Sequence, residues 1–227
     1  MFPHSIIKKL KSKIIYHVSS FCKRDYLEVR FIKDAKKLKI FYLESIKRSM
    51  ERVERELLVH NKSYGIYSKD SVLVEGIEKT YWNVEIIDNY ENFANNLVHW
   101  GISIALMNEE KIMSISYYIP FLDEFFYCAE EEGCFLNDRK ITLSGSSKIV
   151  LGVGTKKTPE RKLGSDILSI MYTACDRFNI TVLENTSFNE KLSKLVMKET
   201  RGGYLKINNK IIIGNELAVN SISITKS

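Results

Sequence analysis

Hydrophobic residues recur at intervals of three and four along the first quarter of the chain, which is the spacing of one helix face. Near the N-terminus they form a broad apolar stripe made of Ile6, Ile7, Leu10, Ile14, Val18 and Phe21. A second stripe, from about residue 41 to 59, contains Leu43, Ile46, Met50, Val53 and Leu57. We therefore predict two amphipathic helices packed on a core. Binding of the first helix to a membrane surface is the alternative interpretation of its stripe.

From residue 63 onward, short β-rich runs alternate with turn signals, and the pattern returns to helices near the end. "YGIYSKDSVLVEG" and "YWNVEII" are predicted strands, and a meander follows whose turns fall at Asn108-Glu109, Pro120 and Asn137-Asp138. The later segments predict a helix in "GSDILSIMYTAC", a strand in "FNITVLE", a helix in "NEKLSKLVMKET" and a hairpin in "GGYLKINNKIIIGN". Without strict βαβ alternation, this order indicates an α+β or layered α/β fold. A division between residues 1–145 and 146–227 is expected, with both halves in one compact unit.

Composition narrows the class of protein. The chain has 227 residues, 44% of them hydrophobic, which is enough for a substantial core. Its apolar runs are too short to span a bilayer, and the N-terminus lacks the apolar centre and cleavage site of a signal peptide. The four cysteines form no CxxC pair, so we predict buried thiols in a reducing cytoplasm.

The net charge of +6 is spread along the chain, with local runs in "KKLKSK" and "KDAKKLK". Such runs can contact an anionic surface such as RNA. Solvated helix faces are the simpler interpretation of both runs.

The segment "VEIIDNYENF" carries the strongest chemical signal. Glu85 and Asp88 follow an apolar run, and carboxylates at a strand end suit Mg²⁺, which prefers oxygen ligands. The alternatives are turn carboxylates without function and, for Asp88, a helix N-cap.

Four collinear segments resemble the inositol monophosphatase family. "YWNVEIIDNYENFANNLVHWGISIAL" is similar to its W-x-I-D-P-[IL]-D-G-T-x-N-F signature and the S-I-A-L segment that follows. The other three are "DEFFYCAEEEGCFLNDRKITLS", "RKLGSDILSIMYTACDRFNITVLENTSFNEKL" and "ETRGGYLKINNKIIIGN". The resemblance implies the αβαβα sandwich of the sugar phosphatases with a shortened second half, and a Mg²⁺-dependent phosphomonoester hydrolase.

Residue by residue, the resemblance implies a site that departs from the family pattern. It places metal ligands at Glu85, the Ile87 carbonyl, Asp88 and Glu190, with Glu replacing Asp at two of these positions. Lys69 and Asp70 fall on the pair of glutamates that binds metal and positions water, and Tyr90 replaces the water-orienting threonine. Substrate-binding positions fall on Asn89, Tyr90, Ser165, Leu183 and Glu184.

Two functions follow from this pattern. In the first, the chain is a Mg²⁺-dependent phosphatase with weakened activity towards an inositol or sugar monophosphate. In the second, it is a pseudoenzyme that binds RNA or a protein of transcription or ribosome maturation, as the resemblance to some bacterial members of the family implies. The loss of the water-positioning groups favours the second. A homodimer is compatible with both.

Overall fold

The computed structural model describes residues 14–68, 71–144 and 161–224, with backbone alone for 221–224. Two compact units divide the chain. The first contains residues 1–109 and 113–125, and the second contains residues 110–112 and 126–227. The predicted division after residue 145 falls in the segment 145–160, which lies outside the described residues, so it stays a prediction. The predicted shortening of the second half also stays a prediction.

The first unit begins with two helices, α1 (Tyr16–Val29) and α2 (Ala35–His60). They pack against each other. The buried carboxylate of Asp25 on α1 forms an ion pair with Arg48 on α2 at 2.7 Å. The thiol of Cys22 lies 3.5 Å from the Ser49 hydroxyl, and burial raises the pKa of Cys22 to about 12.

The strands of the first unit form a mixed sheet with the order β2-β1-β3-β4-β5. Its elements are β1 (Gly65–Ser68), β2 (Ser71–Val74), β3 (Tyr81–Ile86), the short helix α3 (Tyr90–Ala94), β4 (Ile102–Met107) and β5 (Ile112–Ile119). β1 runs parallel to β3, whereas β1 with β2 and β3 with β4 are antiparallel. Helix α2 packs on β3 and α3, so the end of β3 lies beside this helix.

The second unit contains most of β6 (Glu124–Ala129) and a sheet covered by helices. Its other elements are β7 (Gly133–Leu136), β8 (Arg139–Ile141), α4 (Asp166–Ala174), β9 (Ile180–Glu184), α5 (Ser187–Thr200), β10 (Gly203–Ile207), β11 (Lys210–Gly214) and α6 (Glu216–Ile224). β10, β11 and β9 form an antiparallel sheet in that order, and α4, α5 and α6 pack on it.

The layered α/β architecture predicted from the sequence is confirmed, with corrections in the helices. Helix α2 begins at Ala35 rather than near residue 41, because Asp34 caps it by accepting a hydrogen bond from the Lys37 amide at 2.8 Å. Met50, Val53 and Leu57 of its predicted stripe are buried, but Leu43 is 52% exposed and Tyr42 is buried instead. Phe21 on α1 is likewise 44% exposed. Helix α6 was missed.

The cysteine prediction is wrong in part. Cys22 is a buried thiol and Cys175 a partly exposed one, but Cys128 and Cys134 are joined by a disulfide. The two lie directly opposite each other across the β6–β7 pair, a juxtaposition that a spacing of six residues does not reveal without the hairpin register.

Candidate functional site

The predicted metal ligands of the first unit lie where β3 ends. Glu85, the second-last residue of β3, is half-buried and pairs with Ser103 of β4 across the strands. Ile87 follows with φ of 56°, a left-handed conformation that is rare for a β-branched residue. This conformation turns the chain sharply between the strand and Asp88. Backbone strain of this kind often occurs at functional sites.

The Ile87 carbonyl, a predicted metal ligand, already has a protein partner. The Tyr42 hydroxyl on α2 donates a hydrogen bond to it at 3.2 Å. Burial first, and then the nearby Asp88 and Glu85 carboxylates, raise the pKa of Tyr42 to about 12. The hydroxyl therefore keeps its proton and remains a donor across the physiological pH range.

The Asp88 carboxylate accepts hydrogen bonds at both oxygens. The Gly101 amide donates to Oδ1 at 2.7 Å, and the Tyr117 hydroxyl donates to Oδ2 at 2.8 Å. The Asp88 amide in turn donates to the Gly101 carbonyl at 3.1 Å. A Cβ at position 101 would lie 2.4 Å from the Tyr117 ring, so only glycine fits here. Asp88 therefore ties together β3, the start of β4 and β5.

The alternative role of Asp88 as a helix N-cap is wrong, because Asn89 caps α3. The Asn89 side chain accepts a hydrogen bond from the Asn92 amide at 2.6 Å. Tyr90 begins the helix, and its ring packs edge-on against Tyr42 with the centroids 4.8 Å apart. The Lys39 ammonium lies 4.3 Å from the centre of the Tyr90 ring. The position predicted to have lost a small hydroxyl thus holds an aromatic ring beside a cation.

Lys69 and Asp70, the predicted positions of the lost water-positioning pair, lie outside the described residues. Their predicted roles stay predictions.

Glu190, the predicted metal ligand of the second unit, lies in the first turn of α5. Its carboxylate accepts hydrogen bonds from Lys194 at 2.6 Å and from Lys206 at 2.7 Å. Together these two ammonium groups lower the pKa of Glu190 to about 2, and Lys194 has the larger effect. Asn189, which occupies the other position of the family's W-D pair, is buried and donates to the Asp166 carboxylate at 2.7 Å.

Three predicted substrate-binding residues meet in one cleft of about 350 Å³ in the second unit: Ser165, Leu183 and Glu184. Ser165 caps α4 by accepting a hydrogen bond from the Leu168 amide at 3.0 Å. Glu184 forms an ion pair with Lys210 across the β9–β11 pair. The structure thus brings these residues together, and it gives Ser165 and Glu184 structural partners as well.

A second cleft of about 420 Å³ in this unit was not foreseen. Lysines from one face of α5 line it, and Glu130 and Glu190 lie between them. Glu130 pairs with Lys111 at 2.5 Å and with Lys198 at 3.8 Å. The heptad-like spacing of Lys191, Lys194 and Lys198 was the signal that could have found this face.

Known proteins resemble the chain along most of its length. It is 24% identical to an inositol-1-monophosphatase of Rhizobium meliloti over 200 residues, which are 77% of this chain and 75% of the relative. It is 21% identical over 193 residues to a Nus factor SuhB of Xylella fastidiosa, covering 74% of this chain and 70% of that protein. The crystal structure of the extragenic suppressor protein suhB from Bartonella henselae superposes with a TM-score of 0.80 at 19% identity, covering 98% of this chain and 100% of that one.

The chain is similar to inositol monophosphatases over most of its length and shares their fold. No family model matches the sequence, which accords with its low identity to these relatives. The family resemblance read from four sequence segments is thereby confirmed. Within the described ranges, no helix is long and apolar enough to cross a membrane.

The described residues of this chain do not fit the Mg²⁺ that the family resemblance implies. Mg²⁺ needs near-octahedral oxygen ligands at about 2.0–2.1 Å, supplied by a few carboxylates, waters and substrate. Among the described residues, no group of three or more acidic, histidine or cysteine side chains is placed to hold a metal ion. The Ile87 carbonyl and both Asp88 oxygens are engaged by protein donors, and both Glu190 oxygens by lysines.

The residues that donate hydrogen bonds to the Ile87 carbonyl and the Asp88 carboxylate were missed by sequence reasoning. Tyr42 lies 45 residues before Ile87, and Tyr117 lies 29 residues after Asp88. Neither falls in a segment that carries the family motifs. Gly101 had a weak signal, since it lies two residues before the segment matched to S-I-A-L.

Proposed function

We propose that this member of the inositol monophosphatase family has weakened or lost Mg²⁺-dependent phosphomonoester hydrolysis. One observation carries the proposal: the Ile87 carbonyl accepts a hydrogen bond from the Tyr42 hydroxyl. The carbonyl oxygen that was expected to bind a cation therefore faces a hydrogen-bond donor instead. A donor at that place opposes a cation, since the hydroxyl dipole presents its positive end to the carbonyl oxygen that the cation would contact.

The Asp88 carboxylate supports the same conclusion. Binding of a metal by this group would compete with two short hydrogen bonds that hold the ends of β3, β4 and β5 together. Hydrogen bonds to an ionised group contribute about 1.5–3 kcal/mol each, so a metal would have to outweigh them or use the remaining lone pairs. No hydrolytic step through a metal ion is derived for this arrangement.

The electrostatics near Tyr90 and Glu190 point in the same direction. Lys194 and Lys206 already supply positive charge to the Glu190 carboxylate, and the Lys39 ammonium lies over the Tyr90 ring. Fixed ammonium groups repel a divalent cation and make its site less favourable.

The second candidate is a binding function without catalysis, which the likeness to a Nus factor SuhB favours. On one face of α5, Lys191, Lys194 and Lys198 outnumber the two glutamates that pair with Lys194 and Lys198. An excess of ammonium groups suits RNA or an acidic protein surface. The small phosphomonoester substrate, the homodimer and the cytoplasmic location remain predictions.

The first proposal is tested by hydrolysis assays. Purified protein is incubated with inositol 1-phosphate and several sugar phosphates, with Mg²⁺ and with chelator, and released phosphate is measured beside the Rhizobium meliloti relative. We expect phosphate release far below that of the relative, and no difference between wild type and Asp88→Asn. Mg²⁺-dependent turnover near the level of the relative, abolished by Asp88→Asn, contradicts the proposal.

The binding candidate is tested by titrating labelled single-stranded RNA at two salt concentrations. Replacing Lys191 and Lys198 by alanine is expected to weaken binding and to reduce its salt dependence, because fewer counterions are released. Lys162→Ala serves as a matched control, since it removes one exposed lysine outside α5. Equal RNA binding by all variants contradicts the assignment of the α5 face.

A further inference from the structure

A disulfide fastens the hairpin of β6 and β7 directly before its turn. Cys128 and Cys134 oppose each other in the antiparallel register, with their Cα atoms 4.1 Å apart. Cys128 is 0% exposed and Cys134 is 1% exposed, so no reagent reaches the two sulfur atoms while the hairpin is closed. The bond closes a loop with a sequence separation of only six residues. A loop this short removes little entropy from the unfolded chain, so the bond acts locally rather than as a brace for the whole fold.

The turn between the two cysteines consists of three glutamates, residues 130–132, and can open without disturbing the core. Glu131 has φ of 66° and is exposed, and Gly133 has φ of 100°. A backbone hydrogen bond from the Glu132 amide to the Ala129 carbonyl, at 3.2 Å, closes the turn, and the Tyr127 hydroxyl donates to the Glu132 carboxylate at 3.0 Å. Local opening of such an exposed turn is a low-energy fluctuation.

The turn is also attached to helix α5. The Glu199 carboxylate accepts hydrogen bonds from the amides of Glu131 and Gly133, each at 2.9 Å. Glu130 of the same turn pairs with Lys198 on α5. A change at the hairpin therefore reaches the end of α5 and one wall of the lysine-lined cleft.

We propose that Cys128 and Cys134 form a reversible thiol–disulfide couple that controls how firmly this turn is held against α5. In the predicted cytoplasm, disulfides are mostly transient and serve redox sensing or catalysis. The inference does not depend on the proposed function, because it uses neither the metal positions nor the substrate positions.

The reductive half of the cycle needs a dithiol. One thiolate of the dithiol attacks a cysteine sulfur, forms a mixed disulfide and breaks the Cys128–Cys134 bond. The second thiol of the dithiol then displaces the bound cysteine as a thiol. Two electrons and two protons pass to the pair, and the dithiol leaves as its own disulfide. A glutathione disulfide or oxidised dithiol drives the reverse step.

The test follows the thiol count and the amide exchange of the full chain. Protein is equilibrated in dithiothreitol or in oxidised dithiothreitol, quenched in acid and labelled in denaturant. With four cysteines in the chain, we expect two labels after oxidation, on Cys22 and Cys175, and four after reduction. Hydrogen exchange at the Glu131 and Gly133 amides is expected to be about tenfold faster in the reduced protein, because the turn opens more often.

Two variants serve as controls. Cys128→Ser combined with Cys134→Ser is expected to exchange like the reduced protein in both buffers, whereas Cys175→Ser responds like wild type. If the double variant does not fold, the comparison of wild type between the two buffers decides alone. Four labels in every buffer, two labels even after incubation in excess dithiothreitol, or equal exchange in both redox states would each overturn the proposal.

Discussion

Replacing Tyr42 by phenylalanine isolates the contact on which the interpretation of the site depends. The substitution removes one hydroxyl and leaves the ring in place against Tyr90 and Phe93, 4.8 and 5.8 Å away between centroids. The Ile87 carbonyl then loses a buried partner. A lost hydrogen bond with an unsatisfied carbonyl costs about 1–2 kcal/mol. For a chain of this size, that corresponds to a decrease in Tm of about 2–8 °C.

The assay is urea and thermal unfolding of wild type and Tyr42→Phe, with and without Mg²⁺. Tyr204→Phe is the matched control, because the Tyr204 hydroxyl is buried with no hydrogen-bond partner in the described part of the structure. We expect the control to leave stability unchanged or to raise it. The loss in Tyr42→Phe is expected to be the same with and without Mg²⁺.

The pH dependence gives a second measure of the same contact. The pKa of Tyr42 is raised to about 12 from an ordinary value of 10.0, so its contribution to stability is complete below pH 10 and disappears as the pH rises towards 12. Tyr42→Phe should lack this part of the alkaline loss. Equal stability of Tyr42→Phe and wild type, or a restoration of the variant by Mg²⁺ alone, refutes the assignment of the hydroxyl to the carbonyl.

Three further predictions test the site and its surroundings. Gly101→Ala places a Cβ 2.4 Å from the Tyr117 ring, so we expect a loss of about 1–3 kcal/mol in urea unfolding. A fully stable Gly101→Ala protein contradicts this packing. Glu190→Gln removes a carboxylate whose pKa is lowered to about 2 from 4.5, so the stability that wild type loses between these pH values should be smaller in the variant. Identical acid unfolding curves speak against the two lysine contacts. The pKa of Cys22 is raised to about 12 by burial, so a thiol reagent at pH 8 should label Cys175 and leave Cys22 untouched until the protein unfolds. Rapid labelling of both would show that α1 does not bury Cys22.

Hydrophobic spacing predicted most of the fold, because helix and strand periods differ enough to be read directly. It located α2, α4, α5 and the closing β10–β11 hairpin. On α2, spacing placed Met50, Val53 and Leu57 in the buried face, as the structure has them. It did not place Tyr42 there, which is buried against aromatic rings and donates to the Ile87 carbonyl, whereas Leu43 is exposed. Those partners come from distant segments, so the spacing within one helix does not reveal them.

The site positions could be read from motif spacing, but their surroundings could not. Asp88 was found because it lies in a segment with the family spacing. Its partners Gly101 and Tyr117 come from two other strands, and a sequence gives no distance between strands before the register is known. The disulfide was missed for the same reason, since Cys128 and Cys134 meet only through the register of β6 and β7.

Calorimetric titration of Mg²⁺ into the metal-free wild-type protein tests the central claim most directly. If Tyr42, Gly101 and Tyr117 occupy the oxygens that a metal would need, no saturable binding heat appears up to several millimolar Mg²⁺. A saturable heat at or below that concentration, lost in Asp88→Asn, would contradict the account.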